Sequence, residues 1–169
     1  MRDNPLAGES TALNNFLLFW AAREELQHTL VTPTLAAGKH VFSDRGDSST
    51  FAFQLYGEKH RNLTKLFMSL REQVFGGGKR RSPDLYIVFD LPAEVARERA
   101  LRDASRTKNH FDVRDVEYYG RVRHGFHEFA NYERVRFVDA DRSPEDVHRS
   151  VLIILAAQVH ITEAAFFVK

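Results

Sequence analysis

Asp44 and Arg45 sit side by side in the stretch SDRGDSSTFAFQ, residues 43–54. A carboxylate can hold a metal-bound water, and a guanidinium offers a planar fork of N–H donors that matches a phosphate. Thr50 and Phe53 follow, three residues apart, and would share one face of a helix starting after this turn. Upstream, Phe19 and Arg23 are spaced by four, which sets them on one helix face roughly 6 Å apart along the axis. An aromatic ring beside a guanidinium can stack on a planar base and donate to its carbonyl edge. Each pair also has a plainer reading: Phe19 as a core ring with Arg23 at the surface, and Asp44-Arg45 as a turn between strand and helix. The spacings alone leave both readings open.

Composition narrows the setting. Residues 45–48 spell RGDS, best known as an adhesion tag of secreted proteins, but the chain has no cysteine and so can hold neither a disulfide framework nor a thiolate metal site. Its first residues, MRDNPLAGES, lack the apolar core of a signal peptide. A cytoplasmic protein is expected. Twenty-four basic and 23 acidic residues leave a net charge of +1, so no global field favours nucleic acid or an anionic membrane as partner, and phosphate must be bound locally. The apolar run VLIILAAQV is about half the ~20 residues needed to span a bilayer and reads as a buried helix. Gly76-Gly77-Gly78-Lys79 invites comparison with a phosphate loop, yet a helix precedes it and a strand follows, the reverse of a P-loop. A flexible connection followed by a solvated Lys-Arg-Arg cluster is the better reading, and G-x-x-x-x-G-K-[S/T] occurs nowhere in the 169 residues.

The elements that must position these side chains follow from periodicity. Three β-prone runs, at 39–44, 84–90 and 134–140, each carry an aspartate at or near the end: Asp44, Asp90 and Asp139. Helical patterns are expected from 10 or 11 to 31, where Pro33 discourages continuation, and at 47–56, 61–75, 93–102, 115–131 and 144–158. Leu13, Phe16, Leu17 and Trp20 should face the core. Strands alternating with helices imply a single α/β domain over residues 1–169, with a parallel sheet covered on both faces. Ligands bind outside the carboxyl ends of such strands, so Asp44, Asp90 and Asp139 should line one edge, although Asp90 and Asp139 read equally well as helix caps. The tail at 159–169 ends in AAFFVK, which reads as a returning strand, continued helix or a loose end.

Together, LLFWAAREELQHTLVTPTLAAGKHVFSDRGDSSTFAFQ at 17–54 resembles bacterial thymidylate kinase, with its L-x-F-x-A-x-R helix, A-x-G before a strand and D-R-x-x-x-S-x-x-A-Y-Q after it. The likeness continues through SPDLYIVFDLPAEVARERA, HFDVRDVEYYGRVRHGFHEFA and VRFVDADRSPEDV, and so covers most of the chain from about 15 to 148. It implies a three-layer parallel sheet of the P-loop nucleoside-monophosphate-kinase type, ATP-dependent phosphorylation of dTMP to dTDP, and ATP with Mg²⁺ as cofactors. On the dTMP side it implies that Phe19 stacks on thymine, Arg23 bonds its O4 edge, Thr50 contacts its polar edge, Phe53 and Gln54 complete the pocket, and Arg45 grips the monophosphate. Asp44 would be the acid near Mg²⁺. Arg99 and Arg102 would begin the lid, Arg106 would lie within it, and Arg142 would stand in the adenine-side loop, with Asp44, Arg45, Arg102 and Arg106 serving catalysis and Arg99 and Arg142 the ATP side. A homodimer through the early helices is the implied assembly.

Three departures qualify this. Phe53 stands where the family commonly has Tyr, near the sugar, and Asn109-His110-Phe111-Asp112 replaces the usual D-R-[F/Y]-E of the lid. The resemblance also starts after the family's first two strands and P-loop, so the expected fold lacks them. That leaves facing edges at 39–44 and 84–90, which are costly if buried unpaired, so a closed gap, the tail or a complementing chain is expected there. The alternative function is a nucleotide-binding or regulatory module without turnover.

Overall fold

The computed structural model describes residues 10–76, 82–102 and 114–159. Helix α1, Ala12–Leu26, opens on Thr11, whose hydroxyl accepts from the Asn14 amide at 3.1 Å and satisfies one of the free N–H groups of the first turn. Phe16 and Trp20 are buried, and the same face continues to Gln27 and Val31. Leu13 and Leu17, expected in the core, are 46% and 42% exposed, because the buried stripe runs at 16, 20, 27 and 31 and leaves them on its flanks. The chain passes Pro33 without ending. A π turn, Gln27–Val31, leads into α2, Thr32–Ala36. With the Thr32 amide reaching back to the Gln27 carbonyl, the wide turn absorbs the missing proline donor.

The expected strand at 39–44 does not form. Strands exist through ladder hydrogen bonds, and among the described residues this segment has no ladder partner; Phe42 on it is exposed. The other two form as expected. β1, Tyr86–Asp90, and β2, Val135–Asp139, pair in parallel with Tyr86 opposite Val135 and Asp90 opposite Asp139. Among the described residues the sheet therefore has two strands. Tyr86 and Val88 point into the core while Phe89, on the other face, is 56% exposed.

Between these segments lie α3, Asp47–Ser49, running directly into a π segment, Thr50–Gly57, and α4, Thr64–Phe75. Gly76 ends α4 at φ 74°, donating to the Glu72 carbonyl, a left-handed cap that glycine adopts without Cβ strain. α5, Ala93–Arg102, follows β1, and α6, Val116–Phe129, starts on Asp115, whose carboxylate accepts from the Tyr118 amide at 2.7 Å. α7, Pro144–Val159, closes the described chain.

The core is aromatic. Phe51 lies at its centre, 5.2–5.8 Å from the rings of Tyr56, Phe67, Phe129 and Tyr132, and burying each such ring contributes about 1.5–3 kcal/mol. The segment Thr50–Gly57 is buried nearly all round, as befits a helix enclosed by others. α6 packs on it closely enough that a Cβ on Gly125 would stand 2.8 Å from the Ala52 Cα. This packing carries the predicted DRGD turn and its helix as one rigid unit. Residues 103–113, which include Arg106 and the 109–112 variation, residues 77–81 of the glycine-lysine-arginine patch, and the tail at 160–169 lie outside the described residues.

Candidate functional site

Arg45 is a non-glycine residue at φ 69°, a left-handed conformation that costs an L-residue about 1–2 kcal/mol. Its carbonyl accepts from the Ser43 hydroxyl at 2.9 Å. Its exposed guanidinium stands over the Phe53 ring at 5.2 Å, and Phe53 in turn meets Phe126 edge-on at 5.9 Å. The next carbonyl, of Gly46, accepts from Arg23 at 3.0 Å and from the Ser49 amide at 3.2 Å.

Arg23 brings the helix α1 into the same site. One nitrogen of its guanidinium donates to Gly46 and to the Thr50 hydroxyl at 3.2 Å, its plane lies 4.6 Å from the Trp20 ring, and its second terminal nitrogen, Nη1, is buried with no partner. Burial lowers the Arg23 pKa, with nearby Asp47 and Tyr86 acting in the opposite sense. The Oε1 of Gln54 is likewise buried and unpaired. Buried polar atoms without partners are rare in proteins and mark places where a ligand or water completes the set. Phe19, one turn before Arg23, keeps 44% of its surface open. Arg23 with Thr50, and Arg45 with Phe53, are thus brought together, and the two pairs join through the Gly46 peptide.

Asp47, unassigned from sequence, anchors this turn from below. Its carboxylate is fully buried, 2.7 Å from Arg71 Nε and 2.8 Å from the Tyr86 hydroxyl, and Arg71 also meets Glu133 at 2.7 Å. Burial and the Asp47 charge push the Tyr86 phenol far up, so it stays a donor. For Arg71, burial works against the charge, but the bonds to Asp47 and Tyr86 outweigh it and raise its pKa. The sequence held one signal for this network: Tyr86 alternates with core-facing Val88 on a strand, and a buried phenol requires a partner.

The carboxyl edge of the sheet differs from expectation. Asp90 and Asp139 are side by side there, but Asp44 follows no strand, and its turn is tied to Tyr86, the first residue of β1, through Asp47. The expectation of three aspartates on one edge is therefore corrected to two. Neither caps a helix in the simple sense expected: Asp90 takes both arms of Arg123 at 2.8 and 2.7 Å, with His127 at 3.5 Å, and Asp139 accepts from the Asp141 amide at 2.9 Å. Arg99 reaches the loop after β2, donating to the Ala140 carbonyl at 2.8 Å and to Asp141 at 3.2 Å, beside Arg142, which pairs with Asp146 at 3.7 Å. Arg102 turns to Glu98 on its own helix.

Asp44 is exposed, and among the described residues it pairs with no other side chain and no group of three metal-ligating side chains occurs. A lone carboxylate fits Mg²⁺, which commonly keeps its waters and is held by one or two carboxylates with substrate phosphates. A cleft of about 660 Å³ lies elsewhere, lined by Arg71, Asp84, Glu133 and Arg134 at the amino ends of the strands. It contains none of the predicted site residues. Among the described residues no helix is long and apolar enough to cross a membrane.

Comparison with known proteins identifies the family. The sequence model of the family described as Thymidylate kinase matches residues 6–151. The chain is 31% identical over 140 residues to the thymidylate kinase of Dichelobacter nodosus, covering 83% of this chain and 66% of that one. It is 33% identical over 156 residues to that of Oleidesulfovibrio alaskensis, covering 88% and 69%, and 34% identical over 134 residues to that of Rhodopseudomonas palustris strain TIE-1, covering 78% and 56%. The chain thus spans between half and seven tenths of the length of these relatives. On the family match and these identities, the chain belongs to the thymidylate kinase family.

Proposed function

We propose that this chain binds dTMP, as the acceptor half of a thymidylate kinase that moves the γ-phosphoryl group of ATP onto the 5′-monophosphate oxygen, giving ADP and dTDP. The observation that carries the reading is the Arg23 guanidinium. It is fixed by Gly46 and Thr50, backed by Trp20, and left with one buried nitrogen unpaired, as a donor waiting for a base carbonyl would be. Phe19, on the same face of α1, supplies the stacking ring, Thr50 and Gln54 the polar edge, and Phe53 the wall beside the sugar. Arg45, one residue before the carbonyl that Arg23 holds, receives the monophosphate.

Phosphoryl transfer depends on positioning and on neutralising charge at the moving group. Arg45 does this on the acceptor side, and Arg102 and Arg106 are assigned the same task from the lid. Arg99 and Arg142 face the ATP side, Arg99 already holding the loop that contains Arg142's neighbour Asp141. Asp44 would hold Mg²⁺, which, bound with ATP, screens the phosphate charges.

Titration calorimetry with dTMP tests the acceptor site. Micromolar binding that is lost in Arg45→Ala supports it, and absence of binding by the unmodified chain sinks it. The 169 residues contain no G-x-x-x-x-G-K-[S/T] sequence, which favours the second reading, a nucleotide-binding module without turnover, for these residues taken alone. A coupled ADP-release assay separates the two: negligible turnover with intact dTMP binding is expected, and turnover abolished by Arg45→Ala would overturn that expectation.

A further inference from the structure

A carboxylate with no solvent contact is expensive to bury, and an ion pair in the interior is generally no more stabilising than a well-packed apolar group of the same volume. Asp47 is such a carboxylate. Its two partners come from distant parts of the chain, Arg71 on α4 and Tyr86 at the start of β1, and Arg71 is held in turn by Glu133 just before β2. All of this converges two residues after Arg45, whose left-handed backbone has to be imposed by its surroundings. The peptide between them is held as well, since the Gly46 carbonyl takes bonds from Arg23 and Ser49.

We propose that Asp47, Arg71 and Tyr86 form a buried clamp that holds Arg45 in its phosphate-receiving conformation, which makes Arg71 and Tyr86 positioning residues for the monophosphate of the acceptor. The clamp rests on the reading that Arg45 receives that phosphate. Asp47 itself touches no ligand, being sealed from solvent beneath the turn. Its two oxygens are taken up separately, one by the Arg71 Nε and one by the Tyr86 hydroxyl, so the carboxylate can neither rotate nor exchange partners while both bonds stand. Fixing Asp47 fixes the first residue of α3, and with it the exit direction of the chain from Arg45.

Tyr86→Phe is the gentle test, because it removes the hydroxyl and keeps the ring that meets Phe129 edge-on at 5.0 Å. Calorimetry with dTMP and with thymidine, which lacks the phosphate, should show dTMP weakened roughly tenfold, the scale of one lost hydrogen bond to a charged group, and thymidine little changed. Equal weakening of both ligands, or no weakening of dTMP, overturns the clamp. Amide hydrogen exchange gives a reading independent of binding: residues 44–49 should exchange faster in Tyr86→Phe while α6 keeps its protection, and unchanged exchange at 44–49 overturns the clamp. An unmodified chain that binds neither ligand sinks the dTMP reading instead, leaving the exchange measurement to judge whether the clamp holds the turn.

Discussion

Arg23 donates to the Thr50 hydroxyl across 3.2 Å, so that α1 and the first residue of the Thr50–Gly57 segment share one guanidinium. The same nitrogen holds Gly46, and the other terminal nitrogen is buried and free of partners. A fork whose one arm is structural and whose other arm is available cannot be replaced by an ammonium, which is a point charge without the planar geometry. Arg23→Lys should therefore weaken dTMP binding by about tenfold or more, the cost of a lost hydrogen bond from a charged donor. Calorimetry on the purified variant checks this, and retained affinity would remove Arg23 from the base site.

Two glycines on α6 make a matched pair for the packing. A Cβ on Gly125 would fall 2.8 Å from the Ala52 Cα, a backbone atom that cannot swing aside, whereas a Cβ on Gly120 meets nothing within 4 Å. Gly125→Ala should destabilise by about 1–3 kcal/mol through overpacking. Gly120→Ala should instead gain up to about 1 kcal/mol, the difference in helix propensity. Denaturant unfolding of both, with equal slopes, measures the contrast.

The Asp90–Arg123 pair predicts a specific acid response. Its two hydrogen bonds from Arg123 lower the Asp90 pKa below the ordinary 3.8; burial opposes them, and the charges of Arg123 and His127 add to the lowering. A depressed folded-state pKa means the stabilisation is complete above 3.8 and is lost as pH falls through the lower folded value. Arg123→Gln should flatten that part of the stability curve while leaving its slope above pH 5 unchanged. Unfolding midpoints measured from pH 2 to 6 decide it, and parallel curves for the two proteins would exclude the pair as the source.

These residues also show where sequence reading works and where it stops. Phe19 and Arg23 stay four apart on one α-helix, whose geometry ties sequence separation directly to facing direction. Thr50 and Phe53 instead fall in a π segment, whose wider turn does not keep residues three apart on one face. The strands around Tyr86 and Val135 were legible for the same local reason, as runs of β-branched and aromatic residues. The run at 39–44 has the same local pattern, but a strand requires a neighbour, which no local pattern supplies. Leu13 and Leu17 failed because a stripe of apolar residues wider than the buried face gives no phase. The Asp47–Arg71–Tyr86 network left only the Tyr86 phenol as a signal, and the partners of that phenol were hidden for a stronger reason: Arg71 and Tyr86 are 24 and 39 residues from Asp47, and charge alone on a helix reads as surface.

Phe53 offers the sharpest test of the proposed acceptor site. Its ring is a platform for Arg45 at 5.2 Å and is itself supported edge-on by Phe126 at 5.9 Å. A guanidinium over an aromatic face at a partly exposed site is worth about 0.5–1 kcal/mol, so Phe53→Leu, which removes the face, should weaken dTMP by about two- to fivefold. Phe53→Tyr keeps the face and adds a hydroxyl at the wall that the proposed function sets beside the sugar. It should leave dTMP affinity near that of the unmodified chain and increase its preference over the corresponding ribonucleotide. Calorimetry with both nucleotides on both variants reads the two effects separately. Should Phe53→Leu bind dTMP unchanged, the ring is no platform for Arg45; should Phe53→Tyr leave the ribose preference unchanged, the wall of the pocket at this position does not contact the sugar.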